Sequence, residues 1–274
     1  MTLEANRPAS SDRAYVTLVT NADFARGAAA LLRSLRLTGT SADLVVLHTD
    51  GVPRSALDLL GEARLVRVDL LPTSSAFDAA HARGALHGKA PFTKGEKPPF
   101  HTPLDNFAKL RLWQLDYERV VFLDADTLVL KSCDRLFEYP EFSAAPNVYE
   151  GLADFHRLNS GVFTARPDLA TFDTMMAVLD APGAFWPRTD QTFLQTFFPD
   201  WHGLPITYNV LQYVWLNLPD LWHWPSIHVL HFQYEKPWQS PHPKRRELGT
   251  LIDLWRAYAG GGPVPDLASL PKPG

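Results

Sequence analysis

Short apolar runs alternate with amphipathic segments along the first seventy residues. Residues 14–20, 44–48 and 65–68 are apolar and rich in β-branched side chains, which is typical of buried strands. Residues 24–37 carry leucines at helical spacing, and residues 55–60 form a second helical segment. Strand, helix, strand, helix, strand predicts a mostly parallel sheet with crossover helices, and therefore an α/β fold.

The later part of the chain continues this pattern less regularly. We predict strands over residues 120–123, 161–165 and 229–232, and helices over residues 104–115, 169–179, 191–197 and within 243–258. The chain then divides into a disordered or extended N-terminus, one domain and a flexible Gly/Pro-rich tail, over residues 1–13, 14–258 and 259–274.

Residues 72–103 interrupt the pattern and predict one long loop beside the ligand site. A loop of this length is usually functional or mobile. Its charged residues are mostly basic: His81, Arg83, His87, Lys89, Lys94, Lys97 and His101. Two interpretations stay open, since such a segment either screens phosphates or is simply solvated.

The strand over residues 120–123 runs directly into Asp124 and Asp126, in the sequence VVFLDADTLVL. Carboxylates without partners are costly to bury in such an apolar run. A divalent metal between them is one interpretation, and a turn in which aspartates cap backbone N–H groups is the other.

Composition narrows the class of protein. The chain has 274 residues, of which 46% are hydrophobic and 20% charged, as in ordinary globular domains. A net charge of −4 argues against a general affinity for nucleic acid. Cys133 is the single cysteine, so we expect a small apolar core residue and no disulfide. Without a membrane-spanning run or a signal-peptide core, we expect a cytoplasmic protein.

Three common nucleotide and nucleophile motifs are missing from the sequence. No G-x-G-x-x-G follows the first predicted strand, no Walker A motif occurs, and no G-x-S-x-G surrounds a serine. Something other than a glycine-rich loop must therefore neutralise phosphates. A metal on Asp124 and Asp126 is the natural candidate.

Other polar residues follow predicted strands, and each has a purely structural alternative. Asn21 either contacts a ligand or caps a helix. Asn159 and Gly161 either approach a ligand or form an ordinary turn, and Asp190 either recognises sugar hydroxyls or caps a helix. His231 is either a third metal ligand or a buried structural histidine.

Taken in order, these segments resemble the family 8 glycosyltransferases, the group that includes glycogenin and galactinol synthase. The matching segments cover residues 14–238: AYVTLVTNADFARG, FAKLRLW, VVFLDADTLVL, LNSGVF, TDQTFL, PITYN and HFQYEKPW. Several motifs in the right order are a specific signal, whereas a lone Asp-x-Asp is weak.

The resemblance implies a single-domain GT-A fold and a retaining hexosyl transfer, of glucose or galactose, from a UDP-sugar to a small-molecule or glycan acceptor. It implies a metal site of Asp124, Asp126 and His231, which suits Mn²⁺ with Mg²⁺ as the alternative. It places Asp190 and Gln191 beside the reacting carbon. Donor binding is implied for Leu18, Thr20, Asn21, Phe24, Lys109, Asp124, Ala125, Asp126, Asn159, Ser160, Gly161 and Lys236. A homodimer stays an open expectation.

The sequence also departs from glycogenin. Pro187 stands where glycogenin has an aspartate, and Phe100 lies near the position of a glycogenin arginine. Tyr213 is the nearest candidate for a self-glucosylated tyrosine, but its register is poor, which favours a separate acceptor. We expect that acceptor to bind between residues 72–103 and 200–225, where aromatic residues cluster: Trp201, Tyr213, Trp215, Trp222 and Trp224. A silent sugar-nucleotide-binding protein and a nucleotidyltransferase are the alternative functions.

Overall fold

Four parallel strands form the centre of the computed structural model, as the strand and helix pattern predicts. The structure describes residues 3–89, 97–148 and 150–274. The strands are β1 (Glu4–Ala5), β2 (Arg13–Val19), β3 (Asp43–His48), β4 (Arg64–Arg67), β5 (Arg119–Leu123), β6 (Thr127–Val129), β7 (Ser143–Pro146), β8 (Leu158–Ala165), β9 (His202–Gly203), β10 (Val210–Leu211) and β11 (Val229–His231).

Helices cover both faces of these strands. The α-helices are α1 (Ala22–Leu37), α2 (Arg54–Leu57), α3 (Ser75–His81), α4 (Arg83–Lys89), α5 (Leu169–Leu179), α6 (Asp190–Phe197), α7 (Gln212–Asn217) and α8 (Gly249–Ala259). Segments of 3-10 helix are Asp58–Leu60, Leu104–Gln114, Asp134–Glu138, Ile206–Tyr208, Pro219–Leu221, Trp224–Ser226 and Leu267–Ser269.

The central sheet has the strand order β1-β4-β3-β2-β5-β8-β7-β9. The strands β4, β3, β2 and β5 are parallel, and β8 then pairs antiparallel with β5. A second sheet of order β10-β11-β6 lies beside it. The chain crosses from the large sheet to the small one between β5 and β6, at residues 124–126, so the two aspartates lie at that crossing.

The strands β2 and β5 are almost entirely buried, which is why they read as continuous apolar runs. Asn21 caps the helix α1, and its Oδ1 accepts hydrogen bonds from the backbone N–H groups of Asp23 and Phe24. Gly27 in α1 packs against the backbone carbonyl of Ala125, where a Cβ would lie 2.4 Å from that oxygen. This helix therefore approaches the Asp124–Asp126 turn at backbone distance.

The expectation of one long loop over residues 72–103 is wrong, because α3 and α4 occupy much of it. Ser74 caps α3 by accepting from the N–H of Phe77, and each helix has only seven residues. The guanidinium of Arg83 donates to the backbone carbonyl groups of Lys97, Pro98 and His101. Residues 90–96, including Lys94, lie outside the described residues.

The segment after this region is a 3-10 helix over Leu104–Gln114, whereas the sequence predicted an α-helix. Phe107, Leu110 and Trp113 recur every three residues and are all buried. Side chains at this spacing align along one face of a 3-10 helix, which accounts for the difference.

Both ends of the described chain make contacts. The strand β1 pairs antiparallel with β4, so the N-terminal segment adds an extended edge strand. Near the C-terminus, the indole of Trp224 donates to the carbonyl of Pro271, and Leu267 and Leu270 pack against the core around α8. These apolar contacts are long-range, so the Gly/Pro-rich composition of residues 259–274 gave no sign of them.

Candidate active site

The turn after β5 presents two carboxylates at the carboxyl end of the central strands. The carbonyl of Asp124 accepts from the N–H and the hydroxyl of Thr127, and the N–H of Asp124 donates to the carbonyl of Gly161. These bonds fix the backbone while the side chains of Asp124 and Asp126 stay 30% and 9% exposed. Ligands of open α/β sheets bind at this edge.

His231 joins the two aspartates from the second sheet. It ends β11, where it stands opposite Thr127 of β6. Its Nε2 lies 3.3 Å from Oδ1 of Asp126 and 3.9 Å from Oδ2 of Asp124. One ligand atom from each of the three residues lies within 4.8 Å of the other two. The structure therefore brings together the three residues predicted to bind a metal.

The pKa values of the two carboxyl groups are shifted in opposite directions. Burial opposes ionisation of Asp126, but Lys236 and then His231 outweigh it and hold the pKa of its carboxyl well below the usual range. Burial raises the pKa of Asp124, against the opposing charge of Lys109. Two carboxylates and an imidazole nitrogen form a donor set that fits a borderline divalent ion such as Mn²⁺.

Each carboxylate also has a buried lysine beside it. Lys236 Nζ contacts Oδ2 of Asp126 and donates to the carbonyl of Phe232 at 2.8 Å. Lys109 Nζ lies 3.0 Å from Oδ1 of Asp124. Burial works against the charged form of Lys109, yet Asp124 and Asp190 outweigh it and raise the pKa of its ammonium group. Positive charge is thus concentrated around the carboxylates.

Asp190, the first residue of α6, is buried and fully engaged. Its Oδ2 lies 2.7 Å from Lys109 Nζ and accepts from the hydroxyl of Ser160 at 2.6 Å. Its Oδ1 accepts from the hydroxyl of Thr189 at 2.8 Å. Thr189 has φ 49° and ψ −127°, a backbone conformation that favours glycine. The carboxylate is therefore held by three partners, one of them on a strained residue.

These groups line a cleft that encloses about 1130 Å³ of space open to solvent. Most predicted site residues lie on its wall: Leu18, Thr20, Phe24, Lys109, Asp124, Ala125, Asp126, Asn159, Ser160, Asp190, Gln191, His231 and Lys236. Phe24 makes edge-to-face contacts with Phe100 and Trp238, with ring centroids 5.5 and 6.2 Å apart. Phe24 on the cleft wall is thus supported from behind by two aromatic rings, and the carboxylates and lysines make another part of the wall charged.

Comparison with known proteins decides the family. The profile of "Glycosyl transferase family 8" matches residues 15–241, most of the chain. The chain belongs to glycosyl transferase family 8. It is 36% identical over 241 residues to rabbit glycogenin-1 (Oryctolagus cuniculus), covering 83% of this chain and 66% of that protein. It is 30% identical over 252 residues to UDP-glucuronate:xylan alpha-glucuronosyltransferase 2 of Arabidopsis thaliana, covering 86% of this chain and 37% of that one.

The chain spans roughly a third to two thirds of the length of these curated family 8 relatives. Among solved structures it resembles the galactosyltransferase LgtC in complex with donor and acceptor sugar analogs, with a TM-score of 0.62 at 16% identity. That match covers 92% of this chain and 98% of LgtC. Together with the large central sheet and its flanking helices, this likeness confirms the GT-A fold.

Two predicted donor-binding residues of this family 8 chain lie away from the cleft wall. Asn21 is the cap of α1, and its Nδ2 donates to the carbonyl of Phe100 at 2.9 Å. Gly161 lies behind His231, where a Cβ would come 2.4 Å from Cε1 of the imidazole. The donor contacts expected of Asn21 and Gly161 therefore stay predictions, while the structure shows a capping role and a packing role.

The aromatic residues proposed as an acceptor platform have another use. Trp215, Trp222 and Trp224 are buried and pack on each other with ring centroids 5.1 to 5.9 Å apart. None of these three rings lines the cleft. The expectation of an acceptor surface on these rings is wrong, because they form part of the core around α7 and α8.

Tyr213 is likewise buried, and its hydroxyl group is occupied. It donates to Oε2 of Glu235 at 2.9 Å and accepts from Lys244 Nζ at 2.6 Å. A tyrosine in this setting cannot present its oxygen to a sugar donor. The structure thus removes the nearest candidate for self-glucosylation.

Sequence reasoning missed several residues of the cleft. Asn147 and Thr189 lie on its wall, and Asn209 lies behind His231 without reaching the wall. Lys97 and Arg188 also line the cleft. Burial and, after it, the charge of Lys236 lower the pKa of Lys97 to about 8. In the sequence, Lys97 was noticeable only as part of a basic segment, and nothing marked Asn147 as a site residue.

Proposed function

We propose that this chain is a retaining, metal-dependent glycosyltransferase that moves a hexose from a UDP-sugar to the hydroxyl group of a separate acceptor. The observation that carries the proposal is the grouping of Asp124, Asp126 and His231 in one cleft, beside Lys109 and Lys236. Membership of family 8 supports the reaction class. Its similarity to the UDP-glucuronate:xylan alpha-glucuronosyltransferase 2 of Arabidopsis thaliana supports a nucleotide-sugar donor.

Asp124, Asp126 and His231 are the residues that would hold the metal, and Mn²⁺ suits this donor set better than Mg²⁺. A bound divalent ion would act as a Lewis acid on the diphosphate that leaves the sugar. Lys236 and Lys97 lie on the same wall and add positive charge where the leaving group gains negative charge. Charge that is already in place is often the largest contribution to catalysis.

The environment of Asp190 supports front-face attack over double displacement. Double displacement requires a carboxylate that is free to bond to the anomeric carbon. The carboxylate of Asp190 is instead engaged by Lys109, Ser160 and Thr189. We therefore assign Asp190 and Gln191 to orienting the sugar, and the leaving phosphate to accepting the proton of the acceptor hydroxyl.

A separate acceptor is supported by the burial of Tyr213. The donor sugar is a hexose in this proposal, glucose or galactose, and the acceptor is a small molecule or a glycan. Within the described residues, no helix combines the length and apolarity needed to cross a membrane. A cytoplasmic location and a homodimer stay predictions, and light scattering on the purified protein tests the second.

The decisive experiment incubates the purified protein with a panel of UDP-sugars and Mn²⁺ and measures UDP release by hydrolysis without an acceptor. We expect release from one or two hexose donors, and its loss when EDTA removes the metal. Asp126→Asn should also abolish release, because it removes a metal-binding oxygen. If no donor gives release or a thermal shift, with or without metal, the transferase proposal is wrong.

The same material tests the assignment of Asp190. Quenched reactions analysed by mass spectrometry should show no sugar attached to the protein. An Asp190→Asn enzyme should keep measurable activity, because the amide still accepts from Ser160 or Thr189. A sugar adduct on Asp190 would overturn front-face attack while leaving the transferase function intact.

A further inference from the structure

Three buried asparagines form a continuous line of side-chain hydrogen bonds that ends at His231. Asn159 Nδ2 donates to Oδ1 of Asn147 at 3.0 Å. Asn209 Nδ2 donates to Oδ1 of Asn159 at 2.8 Å. Oδ1 of Asn209 lies 2.9 Å from Nδ1 of His231. We call Asn147, Asn159 and Asn209 the amide relay; its members come from three separate parts of the chain.

A backbone group fixes the direction of this relay. The N–H of Gly161 can only donate, and it donates to Oδ1 of Asn159 at 2.9 Å. That oxygen must therefore be the carbonyl oxygen of the amide, so the atom of Asn209 facing it must be the NH₂ group. The other end of Asn209, which faces His231, is then the carbonyl oxygen, an acceptor only.

The imidazole of His231 has a single way to satisfy this acceptor. Its Nδ1 must carry a proton and donate to Asn209, so in the neutral ring, the form that binds a metal, the lone pair is on Nε2. Nε2 is the nitrogen that faces Oδ1 of Asp126 at 3.3 Å. The ring packs closely on Gly161, where a Cβ would lie 2.4 Å from Cε1.

We propose that Asn209, oriented by Asn159, is a positioning residue that keeps His231 in the Nδ1–H tautomer and aims the Nε2 lone pair at the metal site. The inference rests on the proposed metal-dependent function. Partners of this kind behind metal-binding histidines typically contribute 10- to 100-fold in metal affinity or activity. In the opposite tautomer, Nε2 would carry the proton and point it at the metal site. The lone pair on Nδ1 would then face the carbonyl oxygen of Asn209, which is also an acceptor.

The first test measures the tautomer itself in metal-free wild-type protein. ¹⁵N NMR of the histidine ring at about pH 9, with His231 assigned by His231→Gln, distinguishes protonated Nδ1 from protonated Nε2. We expect Nδ1–H, and an Nε2–H ring in the wild-type protein overturns the proposal. This readout needs neither metal nor donor, so it stands even if the proposed reaction is wrong.

The second test measures affinity for Mn²⁺ in the presence of UDP, from the electron paramagnetic resonance signal of free Mn²⁺. Asn209→Leu has a similar volume and no acceptor, so we expect binding 10- to 100-fold weaker and a mixture of tautomers. Asn209→Asp keeps an acceptor for Nδ1 but loses the donor to Oδ1 of Asn159, so it should retain the Nδ1–H tautomer at lower stability. It also covers the case in which the leucine variant does not fold.

Asn6→Leu is the control, since Asn6 exchanges hydrogen bonds with Ala63 and Leu65 at the far edge of the sheet. It should leave the affinity unchanged. A folded Asn209→Leu protein with wild-type affinity would refute the positioning role. A wild-type protein that binds no Mn²⁺ with UDP would instead refute the metal-dependent function.

Discussion

Replacing Gly161 with alanine should displace His231 and weaken metal binding. The added Cβ would lie 2.4 Å from Cε1 and 2.5 Å from Nδ1 of His231, and 2.9 Å from Oδ1 of Asn159. Ordinary van der Waals contact begins at about 3.4 Å, so the ring must move by about 1 Å. Gly161 lies in the strand β8 and needs no left-handed backbone, so the effect comes from this contact alone.

Gly161→Ala should have two separate effects, one on the stability of the protein and one on its affinity for the metal. Overpacking of a buried site costs about 1–3 kcal/mol in the free energy of unfolding. A metal ligand is useful only within about 0.2 Å of its proper distance, so a 1 Å displacement removes most of the contribution of His231. We expect Mn²⁺ binding in the presence of UDP to weaken about 10- to 100-fold, with a corresponding loss of UDP release.

The assay is the free-Mn²⁺ signal titrated with protein, combined with urea unfolding of the same samples. Gly249→Ala is the matched control, since nothing lies within 4 Å of a Cβ at that residue in α8. That variant should be neutral or slightly more stable. A Gly161→Ala protein with wild-type stability and wild-type affinity would refute the close packing of Gly161 against the metal-binding histidine.

Three further predictions concern residues around the cleft. Tyr213→Phe should lower the free energy of unfolding by about 1–3 kcal/mol, because buried Glu235 loses a hydrogen-bond donor. UDP release should be unchanged. A large loss of activity at normal stability would contradict the structural role of Tyr213. Thr189→Gly should relieve strain of about 1 kcal/mol but lower kcat, because Asp190 loses a hydroxyl donor, while Thr189→Ser should keep kcat. Thr189→Ala loses the same hydroxyl without relieving the strain, so a glycine variant no more stable than the alanine variant would count against the strain. His81 is buried, with Nδ1 2.9 Å from the carbonyl of Phe77 and Nε2 accepting from the N–H of Trp186. Burial lowers its pKa, so the stability it contributes is present above about pH 6.5 and is lost as the pH falls through the folded-state pKa. Urea unfolding measures the change in the free energy of unfolding between pH 7.5 and pH 5.5, and this change should be smaller for His81→Gln than for the wild type. Equal changes in the two proteins would disprove the role of His81 in the pH dependence.

The site residues that the sequence itself predicted best are those that stand out from their immediate neighbours in the chain. Asp124 and Asp126 interrupt an apolar strand, and this conflict is visible in eleven consecutive residues. Lys109 has no such signal, and only the resemblance to family 8 connected it to the aspartates. His231 follows a predicted strand, which left a metal-binding and a structural interpretation open. The central parallel strands were also predictable, because strands buried on both faces read as uninterrupted apolar runs.

The remaining parts depend on contacts between distant segments. Asn209 meets Asn159 across fifty residues, and neither amide differs in sequence from an ordinary turn residue. The helices α3 and α4 have seven residues each, which is too short for a hydrophobic period to be recognised. Tryptophan serves equally as a sugar platform or as core, so Trp215, Trp222 and Trp224 could be assigned only once their mutual packing was seen.

The position of the aspartates between the two sheets has a consequence for cooperativity. Asp124 and Asp126 stand where the chain leaves the large sheet, and His231 ends a strand of the small one. An ion bound by all three would act as a cross-link between these two hydrogen-bonded sheets. Ligation should therefore couple local opening of the small sheet to that of the large one, and amide hydrogen exchange in β6 and β11 should slow when the ion binds.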